Sequence, residues 1–358
     1  MRRLTKYVCI SLFLLLLNTS SAPQLSGQQP SNQLPQSQER IRTRVNEVIV
    51  PVAVTNKTGD LVLDLSQTDF HIFDNGVEQS ITAWDLGGDP LAVTLVIDTS
   101  SRIKAMAPEI HRISSIFTET VMALNGEAAV ITYDSETIIR QNFTQDHDAV
   151  GKAIADVKFQ VPENKLYDGM ARAVEILTAQ PSTYRRIMLV IGESQDNESK
   201  ANLGQVVRDA ANANISIYAV GTSSVAADFR GGNKGVTPLK LPGLPPIKTG
   251  QCVDLRGYPC FDWMGPAVWL LERGTNELKS HQLEIAAAAT GGIHYRAFRD
   301  ATIASALDRI GSELHAQYIL SYTAAKEPSV GFNEIKVTVS RPKLTVRTRP
   351  GYYVLPAK

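Results

Sequence analysis

At 358 residues the chain is long for one domain and predicts two compact units with additions. Lys and Arg total 36, as do Asp and Glu, so no net field draws nucleic acid or an anionic membrane surface. The hydrophobic fraction of 43%, with 7% aromatics, is ordinary for a globular protein built around a buried sheet.

Arg2, Arg3 and Lys6 precede the apolar run 8–17, "VCISLFLLLL", and small residues follow in "NTSSAPQLSG". A charged start, a short apolar stretch and a small-residue end predict a cleaved signal peptide over residues 1–27. The run is short for a membrane span, which takes about 20 residues, and an uncleaved anchor is the alternative. Cys9 lies inside the run instead of after a small-residue lipobox, so no lipoprotein is expected. No later stretch is long enough to cross a bilayer, and the expectation is an exported protein, periplasmic or secreted, without a transmembrane segment in the mature chain.

Residues 28–40 are rich in Gln, Ser and Pro and predict a disordered linker. Residues 41–88 read as about four short strands, punctuated by the turn signals "NKTGD" and "DNG", and form a small β module. From residue 89 to 316 the texture alternates. Continuous apolar strands are predicted at 91–98, 128–134, 137–144, 185–193, 215–221 and 293–298. Helices are predicted at 106–124, 166–180, 203–214, 281–292 and 301–314. Strands alternating with helices mean right-handed crossovers, hence an α/β fold with a doubly wound, mostly parallel sheet. A long insertion at 222–279 interrupts it with "GGNKG", "LPGLPPIK", Trp263, Trp269 and two cysteines. Residues 317–358 return to β and are expected to pack beside the first module.

In an exported chain Cys252 and Cys260, separated by seven residues, predict a local disulfide. A zinc site is disfavoured because no His lies nearby. Trp263 and Trp269 have two open readings, an exposed recognition surface or anchors of the insertion. The basic tail residues Arg341, Lys343, Arg347 and Arg349 read as an exposed strand edge, and Lys104, Arg112, Lys152 and Lys165 as solvated faces. Asn56, Asn142, Asn197 and Asn214 begin Asn-x-Ser/Thr sites.

Ligands of doubly wound sheets sit at the carboxyl ends of the strands, where Asp98 and Glu193 stand here. Asp98 begins Asp98-Thr99-Ser100-Ser101-Arg102, a turn able to offer several oxygens to a hard cation such as Mg²⁺ or Mn²⁺. Helix capping by Asp98 is an equal alternative.

With "LVIDTSS", "KLYDGMARAVEIL" and "RRIMLVIGESQDN" in this order, the chain resembles the von Willebrand factor A domain, and its β flanks resemble the VWFA-related proteins of acidobacteria. That resemblance implies a non-catalytic protein-binding module with a metal-ion-dependent adhesion site of the pattern Asp-x-Ser-x-Ser, a distant Thr and a late Asp. Here the site is degenerate: Asp98 and Ser100 match, Arg102 replaces the second Ser, Asn164 the Thr and Glu193 the Asp. The candidate metal ligands are therefore Asp98, Ser100, Asn164 and Glu193. Arg102 either bridges Asp98 and Glu193 in the ion's stead or turns outward and leaves the site to a weakly held ion. The rival readings are a secreted hydrolase using Ser194 in "GESQD", a poor match to a nucleophile elbow, and a structural part of an envelope assembly.

Overall fold

The computed structural model describes residues 47–88, 90–222, 249–253, 259–261, 264–273, 281–297, 303–324 and 328–354. The expected signal peptide and linker lie outside them. The chain divides after Arg44, and every described residue belongs to the second unit.

Strand β1 (Glu47–Thr55) is followed by β2 (Phe70–Asp74), β3 (Val77–Gln79) and β4 (Ile81–Leu86). Then comes β5 (Leu91–Asp98), all of it buried, as a strand covered on both faces must be. The long helix expected next is broken. A 3₁₀ turn (Ser101–Met106) leads into α1 (Ala107–Arg112) and α2 (Ser114–Ile116), and a π-helical stretch (Phe117–Met122) closes the segment. Pro108 stands in the first turn of α1, where its missing N–H costs nothing. Strands β6 (Glu127–Tyr133) and β7 (Thr137–Thr144) follow, then α3 (His147–Ala155), which the sequence reading passed over. Its signals were present: Asp146 caps Asp148 N and Ala149 N, and Val150 and Ile154 share one buried face.

The chain continues through α4 (Leu166–Thr178), β8 (Arg185–Gly192), α5 (Leu203–Asn212) and β9 (Ile215–Thr222). Within the insertion, β10 (Thr249–Val253) and β11 (Pro259–Phe261) form a two-stranded ladder, and α6 (Met264–Arg273) follows. The end of the chain holds α7 (Gln282–Ala289), β12 (His294–Ala297), α8 (Ile303–Leu314), β13 (Tyr318–Thr323), β14 (Gly331–Val339), β15 (Thr345–Arg347) and β16 (Gly351–Val354).

Six strands make the central sheet in the order β12-β9-β8-β5-β6-β7, and only β6 and β7 pair antiparallel. The fold is α/β with a mostly parallel sheet. One face is covered by α4, α5, α6 and α7 through Leu166, Met170, Val207, Leu270 and Ile285. The other is covered by the broken helical segment, α3 and α8 through Phe117, Val121, Ile154, Leu307 and Ile310. Trp269 is buried at 2% exposure in the first of these layers, so of its two readings the anchor holds. Trp263 lies outside the described residues.

The flanking strands form two four-stranded sheets, β15-β1-β13-β4 and β16-β14-β2-β3. Each sheet takes strands from both ends of the chain, so β13 lies between β1 and β4, and β14 pairs with β2. Val50, Val52, Ile72, Tyr318, Leu320 and Tyr322 fill the space between them. The tail arginines correct the expectation of an exposed edge. Lys343 is exposed and Arg341 reaches Asp64 at 2.7 Å. Arg349, however, is only 5% exposed, and Arg347 pairs with the buried Glu313. Their charges tie the tail to β1 through Ile49 O and to the α/β domain through Asn214 and Gly291 O. Alternation along a strand predicts exposure only when nothing packs on that face.

Candidate functional site

Strand β5 delivers Asp98 to the carboxyl end of the sheet, fully buried. Its Oδ1 accepts from Ser100 N at 2.8 Å, and its Oδ2 accepts from Asn164 Nδ2 at 2.7 Å and from Glu193 N at 3.3 Å. The capping alternative does not hold for Asp98. Ser100, not Asp98, occupies the N-cap position, and its side chain makes no cap bond. Asn164 is brought in by the loop before α4 and held by an isolated bridge in which Asn197 N donates to Asn164 O at 2.8 Å. Glu193 follows β8 directly. The residue before it must be glycine: a Cβ on Gly192 would lie 2.3 Å from Tyr133 Oη and 2.6 Å from Asp98 Cβ. The fold thus gathers Asp98, Ser100, Asn164 and Glu193 in one cleft.

Among the described residues, three buried polar atoms of this cleft make no hydrogen bond of normal geometry: Ser100 Oγ, Asn164 Oδ1 and Tyr133 Oη. Burial raises the Asp98 carboxyl above its ordinary value, against the pull of the Ser100 and Glu193 N–H groups and of Arg102. Burial, then the charge of Asp98, raises Glu193 as well, while Arg102 works the other way. Burial pushes the Tyr133 hydroxyl up too, with Asp98 adding to it.

Arg102 lies at the mouth. Its Nη1 stands 3.8 Å from Glu193 Oε2, and its Nε donates to Pro162 O at 3.2 Å. With the Asn197 amide turned to satisfy its neighbours, Asn197 Oδ1 accepts both Arg102 Nη groups at 2.6 Å. Arg102 therefore takes neither expected position cleanly: it pairs with Glu193, makes no hydrogen bond to Asp98, and keeps 37% of its side chain exposed. Sequence spacing placed Arg102 near the acids but gave no signal for Pro162 or Asn197, which come from two other loops.

The acids, hydroxyl and amide offer the oxygen donors that a hard cation wants. The charge does not follow suit, because Arg102 already compensates Glu193 and donors already occupy both Asp98 oxygens. As the chain stands, the set does not fit a resident dication. Ser194 follows Glu193 at a bend in an irregular loop, and the next helix begins only at Leu203, so no strand-to-helix elbow presents it. Cys252 and Cys260 flank the Val253–Pro259 pair of the β10–β11 ladder, but their side chains lie outside the described residues.

The sequence of residues 92–233 matches the family model for the von Willebrand factor type A domain. This stretch is a von Willebrand factor type A domain. The chain is structurally similar to a von Willebrand factor type A protein from Catenulispora acidiphila, at 10% identity, TM-score 0.43, over 87% of this chain and 75% of that one. It is also similar to an aerotolerance-related membrane protein of Bacteroides fragilis with multiple mutations to serines, at 13% identity, TM-score 0.41, over 63% and 98%. Proximal thread matrix protein 1 of the mussel byssus, with a zinc-occupied MIDAS motif, aligns at 12% identity, TM-score 0.43, over 68% and 50%. No curated protein matches the sequence. Among the described residues no helix is long and apolar enough to cross a membrane.

Proposed function

We propose that this von Willebrand A domain is an exported, non-catalytic protein-binding module whose cleft recognises an acidic side chain of its partner through Arg102, without an ion. The observation that carries this reading is the clamp on Arg102. Pro162 O, Asn197 Oδ1 and Glu193 fix the guanidinium at the mouth of the cleft while 37% of the side chain faces solvent. A pre-fixed fork loses little entropy when it takes a carboxylate, and a charge-assisted pair of this kind is worth roughly 1.5–3 kcal/mol.

The test is retention of the protein on an array of peptides bearing Asp or Glu, beside the same peptides amidated. Wild type prefers the acidic set, and Arg102→Ala loses about tenfold or more in affinity. Binding that survives Arg102→Ala unchanged, or that chelation abolishes, refutes the reading.

A second reading is favoured by Ser100 Oγ and Asn164 Oδ1, which make no hydrogen bond of normal geometry: the oxygens of a Mg²⁺ or Mn²⁺ site persist beneath Arg102. In that reading the arginine, not the loss of ligands, sets the affinity for metal.

A further inference from the structure

At the opposite end of the parallel sheet lies a cavity of about 100 Å³, formed where β8 and β9 begin, where α5 ends and where the chain tail crosses β1. Three arginines line it, Arg185, Arg186 and Arg349, and no Asp or Glu does. By 1.4 Å probe volume, a space of this size holds several waters or a small ion.

Among the described residues, neither Arg186 nor Arg349 has a carboxylate partner within ion-pair distance. Their Nη groups donate to neutral acceptors. Arg186 donates to Ala213 O at 2.9 Å and Gln180 O at 2.6 Å. Arg349 donates to Asn214 Oδ1 and Ile49 O, both at 2.7 Å. Several of these acceptors lie just past the ends of α4 and α5, and a helix C-terminus carries about half a negative charge. Two such ends offset about one of the two positive charges, leaving an excess of roughly +1 in a buried place. The Nε–H of each arginine is buried and has no acceptor among the described residues. Burial lowers the Arg186 guanidinium from its ordinary value and brings Arg349 down to about 10, which is what an uncompensated cation undergoes.

We propose that this cavity binds a small tetrahedral oxyanion, of the phosphate or sulfate class, between Arg186 and Arg349. The donors explain the geometry. A carboxylate presents two oxygens in one plane, whereas the donors here come from two guanidinium groups on different elements, β8 and the chain tail. Each guanidinium keeps its Nε–H and at least one Nη–H beyond these bonds, Ser216 adds a hydroxyl to the wall, and an anion with oxygens in several directions meets donors from both arginines. Such an ion would fasten the tail and β1 to the base of the α/β domain, since Arg349 already bonds Ile49 O.

The experiment is thermal unfolding of the full chain in sodium phosphate, sulfate, acetate and chloride at matched ionic strength and pH, with calorimetric titration by inorganic phosphate. Phosphate and sulfate raise Tm saturably, by about 5 °C at a hundredfold excess over Kd. Calorimetry gives one ion per chain. Arg186→Gln, at a partly exposed position, folds and loses the rise; Arg349→Gln serves beside it if it folds. Equal Tm in phosphate and chloride, a rise that Arg186→Gln retains in full, or a response to acetate alone overturns the proposal.

Discussion

Replacing Arg102 by Ser tests whether the arginine stands where a metal would otherwise act. In the wild type the guanidinium lies 3.8 Å from Glu193 Oε2. At an effective dielectric of about 20 that separation is worth roughly 4 kcal/mol. The Arg102 side chain is 37% exposed, so solvent screening reduces the figure to about 1 kcal/mol. A dication that ligates Glu193 has to displace this interaction, and about 1 kcal/mol is about fivefold in affinity. The new hydroxyl also adds one oxygen beside Ser100 Oγ and Asn164 Oδ1, which make no hydrogen bond of normal geometry now. Arg102→Ser therefore binds Mn²⁺ at least about fivefold more tightly than wild type, and the double variant Arg102→Ser with Glu193→Gln loses the gain. Calorimetric titration with Mg²⁺ and Mn²⁺, alongside electron paramagnetic resonance of free Mn²⁺, measures it. Sub-millimolar binding by wild type equal to that of Arg102→Ser would refute the competition and return the cleft to ion-dependent recognition.

Glu193→Gln is more stable than wild type at pH 7. Burial and Asp98 raise the Glu193 carboxyl above 4.5, so its contribution is fully present below that value and is lost as pH rises through the folded value; urea unfolding at pH 7 and pH 4 must show the gap closing on the acid side. Glu313→Leu leaves Arg347 without its carboxylate and the Tyr218 hydroxyl, now 2.6 Å from Glu313 Oε1, without its acceptor. It costs about 3 kcal/mol, and joint replacement of Glu313 and Arg347 by Met costs less; a loss below about 1 kcal/mol for the single variant contradicts the assignment. Thiol titration of the denatured, unreduced mature protein finds no free Cys252 or Cys260, and two reactive thiols there would remove the disulfide expected on the β10–β11 ladder.

The central sheet was legible because a parallel strand covered on both faces is apolar along its length, as "LAVTLVID" and "RRIMLVIG" are. Asp98 and Glu193 were legible for a related reason: they are the polar residues at which those runs stop. The broken helix between Ser101 and Met122 was not, since its apolar residues keep a helical period while the backbone passes from 3₁₀ through α to π geometry. Nor did the sequence reveal that β13 separates β1 from β4, because pairing between segments so far apart leaves no local mark. The arginines show the same limit from another side. Arg341, Arg347 and Arg349 look alike along the chain, yet one meets an exposed Asp, one a buried Glu and one only neutral acceptors.

The hydrogen bonds of the cleft show what holds Asp98 in place and what keeps Arg102 at the mouth. Asp98 depends on no ion for its place. Three donors from three segments, Ser100 N, Asn164 Nδ2 and Glu193 N, close on its two oxygens, so the carboxylate holds together the end of β5, the loop before α4 and the turn after β8. Neutral dipoles of this kind stabilise a buried carboxylate without cancelling its charge, in keeping with a pKa that stays raised despite them. The residual negative charge attracts Arg102 across the mouth, while Pro162 and Asn197 stop the guanidinium from sinking onto Asp98. An arginine drawn inward by two acids and held back by two acceptors keeps a face open to solvent. That balance leaves a fixed cation at the mouth of the cleft, beside a carboxylate that the ends of the strands hold in place.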